Sequence, residues 1–365
     1  MNFFCSTILT IASAVFGQTE NSALKANQAA ERVLIEHIRE IRDRARTGLD
    51  PESDFKVRQP ELEELIKLVD ELLTQFPETA HRDEAMIAKL TALAELARRD
   101  PINLQRLLVV TNRIAEDDIK GPLRAESDYF ALEAFVLAAR REGMEEERRM
   151  EGARERYRAY LEDHPNSPHA NVVRASLIRL LLAMERIDEA KTDLEYLRKN
   201  APDDRPTRRA EGEVFRVTTV GQPFTPLLRN FDGSAKKPED FRGHVLIVHF
   251  WASTVSRSVD ELATLRTFFA KHRTAKLKCV GVNVDANEEA AKRALMREFF
   301  PWPQVAERKG FEADTVYDTG VIQLPTYYVI DADGIVRLVS GSVGEVIDTV
   351  EQLLTPAGPV TPVEP

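Results

Sequence analysis

Between residues 62 and 76 the apolar positions Leu62, Leu65, Ile66, Val69, Leu72, Leu73 and Phe76 recur at steps of three and four, the spacing that lines one face of an α-helix. Similar stripes recur at 83–98, 102–115, 123–139, 150–161, 172–184 and 187–197. Breaks at Pro51, Pro77, Pro101, Gly121-Pro122, Gly143 and Pro165 divide them into helices of ordinary length joined by short turns. An all-helical region over about 20–205 is therefore expected. Farther along, the period changes to two or to unbroken apolar runs. "HVLIVHFW" (244–251), "LKCVGVNVD" (277–285) and "TYYVIDADG" (326–334) are rich in β-branched and aromatic residues and predict strands. The segments 259–273 and 287–300 keep the helical spacing. Strand, helix, strand, helix and then strands around an Asp-Ala-Asp-Gly turn predict an α/β layer fold over 214–355 with part of its sheet parallel. The polar stretch "KNAPDDRPTRRAEGE" (199–213) separates the two textures. It predicts a linker at 206–213, with room for one short helix.

Two of the helix breaks are alike. "QFPETAHRDEA" (75–85) and "DHPNSPHANVV" (163–173) each place a proline and then a threonine or serine ahead of a new helix. The proline ends one helix and the hydroxyl can satisfy backbone N–H groups of the next. With "LLLAMERIDEAKTDLEYL" (180–197), these hinges resemble tetratricopeptide-type repeats, although no strict period runs through the region. Helical pairs that bury their faces only against neighbours form an α-solenoid, an architecture that presents extended binding surfaces. The competing reading is an irregular bundle that acts as a spacer.

Composition narrows the function. The chain has 365 residues, 43% hydrophobic and 30% charged, with a formal net charge of -10. That balance suits a globular protein of two or three domains and argues against a sequence-independent hold on nucleic acid. "MNFFCSTILTIASAVFG" carries no charged side chain and reads as a signal peptide over 1–17, too short for an ordinary membrane span. Export to a bacterial-type periplasm or cell envelope follows, with membrane contact only through this segment if it stays uncleaved. Its removal leaves Cys279 as the one cysteine, so no intramolecular disulfide can form. The Pro-rich tail at 356–365 reads as disordered. No Gly-rich phosphate loop, Cys/His metal spacing or Gly-x-Ser-x-Gly turn is present, so neither a cofactor nor a metal is expected. The oligomeric state is not legible.

Five ordered stretches carry a resemblance: "GQPFTPLLRNFDGSAKKPEDFRGHVLIVHFWAS", "CVGVNVDAN", "FFPWPQV", "YDTGVIQLPTYYVIDADGIV" and the pair Gly341 and Gly344. Over about 220–354 the chain resembles thioredoxin-fold domains of the TlpA/ResA-like branch, which are related to the AhpC/TSA peroxiredoxins. The resemblance implies thiol-disulfide exchange or peroxide reduction at a Cys-x-x-Cys turn beside a cis-proline loop. Laid onto that motif, Val255 takes the place of the attacking cysteine and Ser258 that of the resolving one. The chemistry needs a thiolate whose pKa is lowered by a helix N-terminus and a second thiol to break the mixed disulfide. Valine offers no nucleophile, and a serine alkoxide is no substitute near neutral pH. Cys279 sits mid-strand, where a small buried hydrophobe is expected.

The expected reading is thus a redox-inactive protein- or peptide-binding or scaffolding module, leaning away from an enzyme; the alternative is the oxidoreductase activity that the resemblance implies. Leu324, Pro325 and Thr326 match the cis-proline loop, whose backbone can pair with an extended chain. Trp251 and Val255 are expected as an apolar floor. The N–H groups at 255–258, with Ser256 and Arg257, form a weak anion site, and Ser253 or Thr254 is placed to cap the helix. The competing reading is inherited scaffold with no ligand. His249 falls where thioredoxins place a buried acid; it is either a leftover titratable group or an ordinary hydrogen-bonded histidine. Glu261 matches an acidic position of the family and is expected to support the first turn of the helix.

Overall fold

A computed structural model describes residues 25–44, 55–117, 119–141, 143–272, 276–297 and 300–355. The signal peptide read at 1–17 and the Pro-rich tail at 356–365 lie outside the described residues. The chain divides into two compact units, Met1–Ala170 and Asn171–Pro365.

In the first unit the periodic stripes become helices: α1 (25–44), α2 (Phe55–Gln75), α3 (Arg82–Ala97), α4 (Pro101–Glu116), α5 (Pro122–Arg141) and α6 (Glu146–Asp163). From α2 onward each packs on the next, and α3 also packs on α5. The core joins Leu65 and Val69 of α2, Leu93 of α3 and Leu107 of α4, which lie within the stripes, with Ile38 and Ile41 of α1. The α4 start follows its local chemistry. Asp100 accepts a hydrogen bond from the Ile102 N–H at 2.9 Å, and Pro101 takes the first helical position, where its missing N–H costs nothing. At the two similar hinges, Thr79 Oγ1 accepts the His81 N–H at 3.2 Å and Ser167 Oγ accepts the His169 N–H at 3.1 Å. The same dipeptide spacing therefore gives the same local bond in both places.

The second unit opens with three helices, α7 (Ala170–Ala183), α8 (Ile187–Asn200) and α9 (Arg205–Thr218). A short hairpin follows, β1 (Leu228–Arg229) with β2 (Ala235–Lys236), and then β3 (Val245–Trp251), α10 (Ser256–Lys271), β4 (Leu277–Asn283), α11 (Glu288–Arg297), β5 (Gln304–Ala306), α12 (Asp314–Thr319), β6 (Thr326–Ile330), β7 (Val336–Ser340) and α13 (Val343–Leu354). The main sheet has the order β5-β4-β3-β6-β7. Its β5-β4-β3 half is parallel and its β3-β6-β7 half antiparallel, as the βαβ spacing and the Asp-Ala-Asp-Gly turn require. Every residue of central β3 is buried. Leu246, Val248 and Phe250 join the core that holds Val316 of α12, whereas Val245 and Ile247 join the core that holds Leu262, Leu265 and Val350 of α10 and α13. This two-residue alternation puts His249 and Trp251 on the α10 side.

The linker expected at 206–213 is instead the interior of α9. Its polar look comes from side chains that are paired. The Arg205 guanidinium donates to the Tyr317 hydroxyl at 2.9 Å and pairs with Glu312, and Arg208 pairs with Asp314 at 2.7 Å. Arg208 holds the Asp314 carboxyl below the usual carboxylate range. Glu213, buried, is met by Arg179 of α7 at 2.6 Å. The first boundary in the structure falls near 170, so α7–α9 fold with the sheet rather than with the helices before them. Proline and charge content cannot distinguish a solvated linker from a helix whose charges find partners far along the chain.

Candidate functional site

β3 ends at Trp251, and the chain turns through Ala252–Thr254 into α10, with Val255 as N-cap. Beside it, the Leu324–Pro325 peptide bond is cis, and β6 begins at Thr326, opposite Phe250. The turn after β3 and the proline loop thus meet because they lead out of and into adjacent antiparallel strands. Val255 and Leu324 are half-buried, Pro325 and Thr326 buried, and Ser256, Arg257, Ile322 and Gln323 exposed. The backbone N–H and C=O of Leu324 enter none of the described hydrogen bonds, while Thr326 Oγ1 turns back to the Gln323 carbonyl at 2.7 Å.

Several sequence expectations are corrected here. Trp251 is fully buried. Its Nε1 donates to Gln304 Oε1 at 2.9 Å and its ring packs on Phe300 with centroids 4.8 Å apart, so it belongs to the interior and forms no floor. Gln304 fits because Gly281 lies beneath it; a Cβ there would stand 2.1 Å from its Oε1. Arg257 is not poised over an anion site. It pairs with Glu261 at 2.7 Å and donates to the Gly341 carbonyl at 2.8 Å. The Val255 and Ser258 N–H groups donate to the Ala252 and Val255 carbonyls, which removes half of the expected anion-binding donors. No hydroxyl caps the helix. Ser253 gives both its N–H and its Oγ–H to Asp285, each at 3.0 Å. Glu261 lies beyond the first turn of α10, where no acid is found; it accepts from Arg257 and from the Tyr327 hydroxyl at 2.9 Å.

Sequence reasoning missed Asp285 and Asn283. Both are buried, and the Asn283 Nδ2 amide donates to Asp285 at 2.7 Å. Together they hold the turn after β3 in place. The signal was present in "CVGVNVDAN", where polar residues two apart interrupt an apolar strand and so share one face.

Ser258 and His249 are both fully buried, and neither the serine hydroxyl nor either imidazole nitrogen has a hydrogen-bond partner. The His249 ring stacks on Tyr327 with centroids 4.6 Å apart. The expectation of an ordinary hydrogen-bonded histidine is therefore overturned. Burial alone pushes its pKa down, to about 3. The unfolded chain protonates this group near 6.5, so the folded state binds fewer protons between those values. Stability tied to the neutral ring is intact above about pH 6.5 and is lost as pH falls toward 3, at about 1.4 kcal/mol per pH unit. His249→Phe, which preserves the stack, is expected to gain about 2 kcal/mol relative to the parent between pH 7 and pH 5. Urea melts at the two pH values measure this, and parallel pH dependence of the two proteins would refute it.

Cys279 is buried within β4, facing Leu262 and Leu265 of the α10 side, and burial pushes its thiol well above the ordinary range. A thiol in this state is neither ionised nor reachable near neutral pH. Among the described residues no group of three or more His, Cys, Asp or Glu side chains is placed to hold a metal ion.

The AhpC/TSA family model matches residues 220–339. Two curated relatives, each named thiol-disulfide oxidoreductase ResA, from Bacillus thuringiensis subsp. konkukian and Bacillus cereus, are 26% identical over 136 residues, covering 37% of this chain and 75% of theirs. Among solved structures, a thiol-disulfide oxidoreductase from Bacteroides fragilis aligns with 22% identity and a TM-score of 0.33, over 37% of this chain and 99% of that one. The thioredoxin domain of a thiol-disulfide oxidoreductase from Bacteroides vulgatus aligns with 22% identity and a TM-score of 0.32, over 37% and 96%. The C-terminal part of this chain has a thioredoxin-like fold and is similar in sequence to the TlpA/ResA-like and AhpC/TSA proteins, and an all-helical region precedes it.

Proposed function

We propose that this protein binds extended polypeptide in the bacterial cell envelope and catalyses no thiol-disulfide exchange. The observation that carries the reading is the chemistry of the turn at 255–258: an apolar side chain and a buried, unpartnered hydroxyl stand where the family resemblance places two thiols. The remaining cysteine of the described residues is sealed in the sheet. Beside that turn, the unpaired Leu324 backbone offers one donor and one acceptor to an added strand. Ile322, 46% exposed, supplies apolar surface next to it. The helical region is the second candidate surface of the same reading.

The test uses reduced, carboxymethylated α-lactalbumin, a permanently unfolded chain with no free thiol. The full-length protein is expected to bind it in fluorescence anisotropy, and Ile322→Glu is expected to weaken binding about tenfold, the effect of placing a desolvated charge against an apolar contact. Unchanged affinity in Ile322→Glu would remove the proline-loop face from the reading.

A further inference from the structure

The first unit contains a cleft of about 590 Å³ between α2, α3, α4 and the start of α5. Arg82, Met86 and Lys89 are spaced four and three residues apart and therefore form one stripe of α3. Leu73 of α2 and Val109 and Val110 of α4 also line the cleft. Val109 is 66% exposed, and Leu73, Met86, Val110 and Ile119 are only half-buried. Five apolar side chains thus keep accessible surface in one depression: Leu73, Met86, Val110 and Ile119 at the margin of the unit's core, and Val109 clear of it.

The charges in the cleft are unequally satisfied. Lys89 is paired with Asp70. Arg82 and Arg113 are exposed and have no ion-pair or side-chain hydrogen-bond partner among the described residues. Asp117, one helical turn beyond Arg113, is the remaining ionisable side chain among the described residues that line the cleft. Among the described lining residues, three cations stand against two carboxylates, in a protein whose overall charge is -10. An arginine beside an apolar surface suits a carboxylate, which its planar fork can meet with two parallel hydrogen bonds.

We propose that this cleft takes a short acidic peptide segment, with carboxylates set on Arg82 and Arg113 and apolar side chains resting on Met86 and Val109. The seven-residue span from Arg82 to Lys89 is about 10 Å of helix, the length of about three residues of extended chain. The occupant is therefore a brief acidic-apolar motif. The proposal deepens the polypeptide-binding reading by giving the helical region a site and a ligand class, and it does not involve the thioredoxin-like domain.

The probe is a fluorescein-labelled octapeptide of alternating Leu and Glu, compared with the Leu-Lys and Ser-Glu octapeptides, on the full-length protein. The Leu-Glu peptide is expected to bind, with affinity at least tenfold above either control. Arg82→Ala with Arg113→Ala is expected to lower that affinity about tenfold, and Val109→Ser about threefold, consistent with the worth of charge-assisted bonds and of one exposed apolar contact. Both positions are on the surface, and circular dichroism checks that the helices persist. Equal affinity for the Leu-Glu and Leu-Lys peptides, or a double-arginine variant that binds as the parent does, would overturn the proposal. Arg82→Ala with Arg113→Ala is expected to leave the effect of Ile322→Glu on α-lactalbumin binding in place, which separates failure of this site from failure of the proline-loop face.

Discussion

Replacing Val255 and Ser258 together by cysteine is expected to give a protein that reduces insulin catalytically, whereas the parent is expected to show no rate above the dithiothreitol blank. The argument rests on local geometry. Residue 255 is the N-cap of a 16-residue helix and is half-buried, a position where a thiolate is stabilised by the positive end of the helix. Lowering a thiol pKa from about 8.5 to about 7 raises the thiolate fraction at pH 7 from about 3% to about 50%. That sulfur would attack an insulin disulfide, expel one insulin thiolate and form a mixed disulfide. The sulfur at 258, one turn along and buried, would then attack the first, release the second insulin thiol and close a 255–258 disulfide, which dithiothreitol reduces. In the absence of dithiothreitol, Val255→Cys alone is expected to accumulate the mixed disulfide, and Ser258→Cys alone to stay inert. A folded double variant that forms the 255–258 disulfide yet ignores insulin would mean that the turn does not admit a polypeptide, and would count against the binding reading as well. Parent activity abolished by Cys279→Ser would mean that the reacting sulfur had been misassigned.

Gly212→Ala is expected to destabilise the second unit by about 3 kcal/mol, within the upper range for overpacking a closed interface. At Gly212, α9 meets the end of α12. A Cβ would stand 1.8 Å from the Tyr317 carbonyl oxygen and 2.9 Å from Gly320, and backbone cannot yield as a flexible side chain does. The opposite residue, Gly320, ends α12 at a φ of 65° in the left-handed region, which glycine adopts without strain. Gly320→Ala therefore meets both a clash and a conformational penalty, and is expected to cost as much or more. Denaturant melts monitored by the far-UV signal measure both changes. Wild-type stability in Gly212→Ala would mean that α9 is not part of this unit, as the linker reading had it.

How much of the molecule could be read in advance differs by element. The helices of the first unit follow from three- and four-residue spacing, because each buries a single stripe. β3, β4 and β6 follow from unbroken apolar runs, because a central strand is covered on both faces. The site was half legible. The absence of thiols at 255 and 258 is a property of residue identity and needs no coordinates. The roles of Trp251, Arg257 and Glu261 were misjudged, because each depends on a partner far away in sequence: Gln304, Gly341 and Tyr327. His249 was judged by its residue type, whereas its lack of any partner is a fact about its surroundings.

By itself, then, the sequence determined the order of helices and strands, the two textures of the chain and the missing redox sulfurs, because periodicity and side-chain chemistry are local. The tertiary structure alone decided that α9 belongs to the sheet unit, that Trp251 is interior and that Arg82 and Arg113 share an apolar cleft. Those outcomes depend on contacts such as Arg205 with Tyr317, 112 positions apart. Burial and pairing are settled by what folds against a residue, and one-dimensional spacing does not contain that information.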